Sequence, residues 1–155
     1  MAKLFGKQLP GFKNQAEAEA QLFADRDRRL ENLLEAAAKT ESFDADFTPE
    51  SLKRLELWYF ELWEGDGFGA IGLPREEFEC SMAMYFLEVA VRNCPRAEWE
   101  VSEYGFENGK YEIGVKNGLH HLMRSRMTDH FQQPNNKRRQ KIYREYMDSY
   151  GARWH

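Results

Sequence analysis

The chain has 155 residues, a length that fits a single compact domain with a sizeable core. Hydrophobic residues make up 42% of it and aromatic residues 14%, which excludes a disordered chain because such chains lack the apolar side chains that fill a core. The net charge is −4, but residues 1–116 hold 14 Lys and Arg against 23 Asp and Glu while residues 117–155 hold 8 against 3, so we expect either two surfaces of different electrostatic preference or two ends that attract each other.

Residues 1–13 are predicted to be a flexible N-terminal arm, because Gly6, Pro10 and Gly11 interrupt any regular element there. Residues 14–155 then form one domain. The arm carries lysines without the apolar run of a secretory signal, and no stretch of the chain approaches the ~18 apolar residues of a membrane span. We therefore expect a cytoplasmic protein that does not contact membranes.

A long helix is predicted from Asn14 onward. Mostly apolar residues recur there at alternating spacings of four and three, which places them on one stripe: Ala16, Ala20, Phe23, Asp27, Leu30, Leu34 and Ala37. Asp27 interrupts this seam. A heptad seam can pack against its own domain or against a partner helix in a coiled coil, and the alanines together with Asp27 favour packing within the domain.

A second helix is predicted from Thr48 through Trp63. Thr48 would be its N-cap, Pro49 its first residue and Glu50 an acid in the first turn, where the helix dipole favours negative charge. A strand is the alternative for residues 55–63, because apolar and acidic residues also alternate there. The start signal favours the helix.

The stretch Gly67-Phe68-Gly69-Ala70-Ile71-Gly72 matches the G-x-G-x-x-G pattern of dinucleotide-binding folds. That pattern requires a strand before it and a helix beginning within it, whereas here a helix precedes it and Pro74 predicts that the next helix starts only afterwards. Glu64 and Asp66 would also repel a phosphate. We therefore predict a loop between two helices and no bound cofactor.

The core helix is predicted to begin near Pro74 and to end before Pro95, with apolar residues at helical spacing between them. Cys80 and Cys94 would lie about 21 Å apart on this helix, too far for a disulfide with each other. Glu88 is predicted at the edge of the apolar stripe. The alternative is a buried carboxyl group whose pKa is raised and which could act as a general acid.

Residues 99–116 alternate apolar with polar side chains and contain Asn108-Gly109, a pattern that predicts a β-hairpin with a type I′ turn. The expected fold class is therefore α+β, with about four to five helices packed on a small antiparallel sheet.

The apolar residues of the two strands of this hairpin do not fall on the same face of the sheet if the turn has two residues. A two-residue turn would pair Tyr104 with Ile113, and it would put Trp99 and Val101 on the face opposite to Ile113. A bulge near Gly105 would bring them to the same face, and we expect this bulge. The alternative is a sheet with apolar residues on both faces.

The segment that follows holds potential metal ligands, namely His120, His121, Asp129 and His130. Adjacent histidines point to different faces of a helix or a strand, and neither H-x-x-x-H nor H-x-H occurs. We predict no metal site, and the sequence assigns no role to His120, His121 or His130.

The last predicted helix carries the basic residues Lys137, Arg138, Lys141 and Arg144 near tyrosines. Such a surface can bind phosphates and stack bases, so a nucleic-acid-binding accessory protein is the alternative function. The acidic remainder of the chain would repel a polyanion, which disfavours it.

The run YFLEVAVRNCPRAEWEV, over residues 85–101, leads from an apolar helix through a short break into a strand with a tryptophan. It resembles small uncharacterised bacterial α+β proteins, some of which sit beside toxins as immunity proteins. The resemblance implies a fold class and carries no functional residue with it.

Residues 41–79 hold eleven acids against Lys53, Arg54 and Arg75. We therefore expect a non-catalytic protein-binding module, of the immunity or inhibitor kind, that uses this acidic surface to engage a protein with a basic surface. The predicted contacts cluster near loops and helix ends and are Asp44, Asp46, Glu61, Glu64 and Asp66. We identify no catalytic residue, and an enzyme that uses Glu88 or the histidines is the third alternative.

Overall fold

The computed structural model describes residues 9–124 and 140–151, and over this part of the chain it has four helices and a three-stranded antiparallel sheet. The elements in chain order are α1 (Gln15–Thr40), α2 (Ser51–Gly65), α3 (Arg75–Asn93), β1 (Ala97–Glu103), β2 (Tyr111–Asn117), β3 (His120–Met123) and α4 (Lys141–Tyr150). The sheet order is β1-β2-β3. The predicted α+β class and hairpin are confirmed, with the number of helices at the lower end of the expected range.

Helix α3 is the centre of the fold, as the sequence predicted. Its side chains from Phe78 to Ala90 are buried except for Cys80 and Glu88, because α1, α2, α4 and the sheet all pack around it. Acidic residues occupy its first turn and Arg92 its last, which matches the helix dipole. The two cysteines are unpaired, as expected.

Helix α1 begins as predicted, because the Asn14 side chain accepts the Glu17 N–H at 2.9 Å. The predicted apolar seam is wrong as a description of its buried face. The residues that α1 buries are Ala18, Leu22, Leu33, Ala36 and Ala37, so only Ala37 of the seam is among them. The large side chains that α1 buries are Leu22 and Leu33, each one position before a seam residue, so the side that faces the core is rotated from the seam by about one residue. The apolar residues Phe23, Leu30 and Leu34 of the seam are half-buried, and Asp27 is exposed.

The residues of α2 form a helix, as predicted, and not the alternative strand. Its first regular residue is Ser51, two residues later than predicted, because the Leu52 N–H donates to Pro49 O at 3.1 Å in a tighter first turn. The Thr48 hydroxyl still accepts the Ser51 N–H, at 3.3 Å. Thr48 therefore caps this turn.

The hairpin between β1 and β2 has a different connection from the predicted one. Val101 pairs with Ile113, and the ladder ends at Glu103 paired with Tyr111. The predicted type I′ turn and the bulge are both wrong, because residues 104–110 form a longer loop in which only Gly109 has positive φ, at 81°. The expected placement of Trp99 and Val101 on the same face as Ile113 is nevertheless correct.

Strand β3 was not predicted. It pairs with β2 through a tight turn at Gly118, where φ is 65°, and it brings Leu122 opposite Val115 on the core face. Gly114 permits this pairing, since a Cβ there would lie 2.4 Å from the Leu122 carbonyl oxygen. A four-residue strand that begins with two histidines gives too short an apolar alternation to be recognised.

The described part of the predicted N-terminal arm contacts the loop between β1 and β2. The Phe12 N–H donates to Gly109 O at 2.9 Å, and the Tyr111 N–H donates to Pro10 O at 3.2 Å. Leu9 is buried. No helix in residues 9–124 and 140–151 combines the length and the apolar content that a membrane crossing needs.

Candidate functional site

The five predicted contact acids are all exposed, but the structure divides them into two groups. Asp44 and Asp46 lie in the loop before α2, whereas Glu61, Glu64 and Asp66 lie on its C-terminal half and at its end. Ten residues of helix separate Ser51, the first residue of α2, from Glu61, which is about 15 Å at 1.5 Å per residue. The acids therefore form two surfaces and not a single patch.

Two acids of the C-terminal group, Glu61 and Glu64, border an exposed leucine. Leu57, Glu61 and Glu64 are spaced four and three residues apart, which puts them on one side of α2, and Leu57 is 51% exposed. Asp66 ends the helix with φ of 51°, a left-handed conformation that Asp tolerates. Glu61 and Asp66 make no ion pair with any described residue. We call Leu57, Glu61 and Glu64 the acidic face of α2.

The loop before α2 is attached to the core and to the start of α2 by hydrogen bonds and by a stacked ring pair. Asp46 accepts hydrogen bonds from both the N–H and the hydroxyl of Thr48, which lower the pKa of its carboxyl group, and it pairs with Arg54 at 3.6 Å. The next residue, Phe47, stacks on Tyr85 with ring centroids 4.7 Å apart. Asp46 is therefore partly committed to local structure, while Asp44 makes no ion pair within the described chain.

An open groove lies beside this loop, with a volume of about 550 Å³. Its lining consists of Asp27, Leu30, Glu31, Leu34 and Glu35 from α1, Phe47 from the loop and Arg92 from α3, and we call it the α1 groove. The Arg92 guanidinium stands 3.7 Å from the centroid of the Phe47 ring. Sequence reasoning missed this groove as a site, although Asp27 within the apolar seam was a signal that this stretch of α1 stays open to water.

A buried carboxylate connects α2 to α4. Glu56 is 3% exposed, and its Oε1 accepts the Ile142 N–H at 3.1 Å, so it caps a helix that has no cap from its own Gln140 side chain. Burial raises the pKa of Glu56 to about 7, against the lowering effect of the backbone N–H groups and of Lys141 and Arg144. This contact joins residues 86 positions apart, which no local sequence pattern reveals.

A second buried carboxylate connects α2 to α3. Glu79 accepts a 2.5 Å hydrogen bond from the Tyr59 hydroxyl and lies 3.6 Å from the Arg75 guanidinium. Burial raises the pKa of Glu79, and burial with the neighbouring carboxylate raises the pKa of Tyr59. This carboxyl group links two core helices through its hydrogen bond with Tyr59.

The other residues considered for catalysis or metal binding do not come together in one site among the described residues. Glu88 is half-buried at the edge of α3, as expected, and accepts the Trp99 indole N–H at 3.2 Å. His120 and His121 face opposite sides of β3, since His121 contacts Glu100 at 2.6 Å and His120 packs on the Tyr150 ring. No group of three or more His, Cys, Asp or Glu that could hold a metal occurs among the described residues.

The glycine-rich stretch is a loop between α2 and α3, as predicted, and it buries Phe68 against Tyr59 and Phe78. Of the basic residues proposed for nucleic acid, Lys141 and Arg144 lie on α4 close enough to act on Glu56. Lys137 and Arg138 lie outside the described residues, as does His130. Nucleic-acid binding therefore stays a prediction.

Comparison with known proteins identifies relatives whose role is not established. The family model described as "Uncharacterised protein YwmA" matches residues 11–150. The "Uncharacterized protein YwmA" of Bacillus subtilis (strain 168) is 31% identical over 114 residues, which cover 74% of this chain and 72% of that relative. No solved structure matches the chain.

Proposed function

The chain belongs to the YwmA family of uncharacterised proteins, and we propose that it is a non-catalytic cytosolic module that binds a protein with a basic surface. The observation that supports this proposal most strongly is the acidic face of α2, where an exposed leucine is bordered by exposed carboxylates. Interfaces combine an apolar anchor with a charged rim in this way.

The two parts of this face contribute different terms to binding. Leu57 would lose its remaining contact with water at an interface, which contributes about 1 kcal/mol for a half-exposed leucine. Glu61 and Glu64 would attract Lys and Arg of the partner over a range of about 10 Å at moderate salt, which speeds association. The acidic residues Asp44 and Asp46 add to this attraction from the other end of the helix.

The test is recovery of basic proteins on the immobilised full chain at about 50 mM salt, followed by their identification by mass spectrometry. The variant Glu61→Lys/Glu64→Lys reverses two charges on the face and keeps Asp66, whose left-handed conformation a lysine would strain. The matched control Glu19→Lys/Glu107→Lys makes the same change in net charge at exposed positions away from α2. We expect the first variant to lose the partner and the control to retain it.

A more specific form of the proposal is that the chain is an immunity or inhibitor protein that covers the basic site of a toxin. The acidic face of α2 supports it because a nuclease-type site is basic. The identity of the neighbouring gene tests it. A toxin gene beside this one would support the role, and a family-wide absence of such neighbours would contradict it while leaving the broader binding role intact.

A further inference from the structure

We propose that the α1 groove is a second docking surface, which binds one basic amphipathic helix of a partner protein. The groove lies on α1, α3 and the loop before α2, so it is distinct from the acidic face of α2. Either surface can bind without the other, and the experiment below separates them.

The dimensions of the groove suit a short stretch of helix. Asp27 and Glu35 are eight residues apart on α1, which is about 12 Å along its axis and corresponds to about two turns of an occupant. The floor between them is apolar, formed by Leu30, Leu34 and Phe47. The groove is open along its length, which is unsuited to enclosing a small molecule.

The spacing of the floor residues favours a helix as occupant. Asp27, Leu30 and Leu34 follow the three-and-four spacing by which two helices interdigitate, and this part of the seam does not pack fully in its own domain. A polar residue within such a seam sets the register and the choice of partner. Asp27, whose exposed carboxylate pairs with the neighbouring Arg26, would therefore favour a helix that presents Lys or Arg opposite it.

The charge of the lining selects a basic occupant. Three carboxylates, those of Asp27, Glu31 and Glu35, recur every fourth residue along one edge, and Arg92 is the one basic residue in the lining. Asp27 pairs with Arg26 at 2.9 Å and Glu35 pairs with Lys39 at 3.4 Å, but ion pairs on such exposed carboxylates are weak. Arg92 stacks on Phe47 and pairs with Glu88 at 3.8 Å. The positive charge of Arg92 therefore disfavours binding of a cationic helix. Glu31, which makes no ion pair with a described residue, favours it.

The experiment uses the full chain labelled with ¹⁵N and three synthetic peptides of 18 residues. One is a Leu/Lys amphipathic helix, one has the same composition in an order without an amphipathic face, and one replaces Lys by Glu. Amide chemical shifts locate binding, and fluorescence anisotropy of labelled peptide measures its Kd at about 50 mM salt. Circular dichroism confirms that each protein variant is folded.

We expect the amphipathic Leu/Lys peptide to shift the amides of Leu30, Leu34, Phe47 and Arg92, and the other two peptides to leave them unchanged. Glu31→Lys should weaken binding about tenfold, as expected for reversing a charge at the centre of an interface. Arg92→Met, which keeps the stem of the side chain, should tighten binding about threefold. The control Glu19→Lys, on an exposed part of α1 outside the groove, should bind like the wild type.

Several results would overturn the docking surface. Shifts confined to the acidic face of α2 would exclude the α1 groove and leave the proposed function in place. Equal weakening by Glu31→Lys and Glu19→Lys would show a general charge effect instead of a site. Loss of peptide binding in Glu61→Lys/Glu64→Lys, with normal peptide binding in Glu31→Lys, would place the peptide on the acidic face of α2 and not in the α1 groove.

Discussion

Two carboxylates on one helix, Glu56 and Glu61, lie five residues apart and differ in their exposure to water. Glu56 is buried and caps α4, whereas Glu61 is exposed beside Leu57 and makes no ion pair with a described residue. The same contrast separates Glu79, buried against Tyr59, from Glu31 on the edge of the α1 groove. The side of the helix, and not the kind of residue, decides whether an acid builds the fold or faces a partner.

The contrast matters because a raised pKa in a carboxyl group is often taken as a sign of an active site. Among the residues that the structure describes, the carboxyl groups whose pKa values are raised are Glu56 and Glu79, and each receives a hydrogen bond from another core element. The exposed acids of α2 are therefore the better candidates for recognition. The following predictions test this division.

The largest expected effect is the loss of the cap on α4. Glu56→Ala removes the acceptor for the Ile142 N–H and leaves a cavity, so the free energy of unfolding should fall by about 3 kcal/mol. Urea unfolding measures it. Glu56→Gln keeps an acceptor oxygen and the volume, so it should cost less than half as much; equal losses in both variants would contradict capping.

The next effect is a pH dependence that the buried carboxyl group introduces. Glu56 has an ordinary pKa of 4.5 and one of about 7 in the fold, so the folded chain binds more protons than the unfolded chain between these values. The free energy of unfolding should therefore decrease as the pH rises through this window.

The variant Glu56→Gln removes this titration. Its free energy of unfolding should decrease less than that of the wild type between about pH 4.5 and about pH 7. Some decrease should persist, because burial raises the pKa of Glu79 in the same direction. Urea unfolding across this range measures the slope, and an unchanged slope in the variant would assign the titration to another group.

A smaller loss is expected where α2 meets α3. Tyr59→Phe removes the hydroxyl that donates to Glu79 and leaves a buried carboxyl oxygen with one donor fewer, so the free energy of unfolding should fall by about 1–2 kcal/mol. Tyr143→Phe is the control, because the Tyr143 ring is half-buried under Lys53. If the control lowers the free energy of unfolding as much as Tyr59→Phe does, the hydrogen bond to Glu79 contributes nothing to stability.

The smallest effect on stability is expected at the surface. Glu61→Lys/Glu64→Lys should change the free energy of unfolding by no more than about 0.5 kcal/mol, because exposed side chains away from buried networks contribute little. Thermal and urea unfolding both measure it. A decrease in the free energy of unfolding as large as that of Glu56→Ala would contradict the division between buried acids that stabilise the fold and exposed acids that do not.

Local signals predicted most of the fold. Asn14, Thr48 and Pro74 mark helix starts through chemistry that acts within one turn, and α3 is apolar enough on all sides to be recognised as the core. The hairpin was predicted correctly in its faces but not in its connection. Asn108-Gly109 is compatible with several turns, and pairing of distant residues decides among them.

The candidate surfaces were harder to predict. The five acids were named from the sequence, but they form two groups because Asp44 and Asp46 precede α2 whereas Glu61, Glu64 and Asp66 lie on its C-terminal half and at its end. The α1 groove depends on which side of α1 the core covers, and the heptad seam alone favoured the wrong side. Glu56 and Ile142 meet only through the tertiary fold.

The most direct test of this division is the recovery of a basic protein partner by Glu61→Lys/Glu64→Lys, compared with the wild type and with Glu19→Lys/Glu107→Lys at about 50 mM salt. We predict that the first variant stays folded and recovers about tenfold less partner, while the control recovers as much as the wild type. Equal recovery by all three proteins would contradict the assignment of the acidic face of α2 as a binding surface.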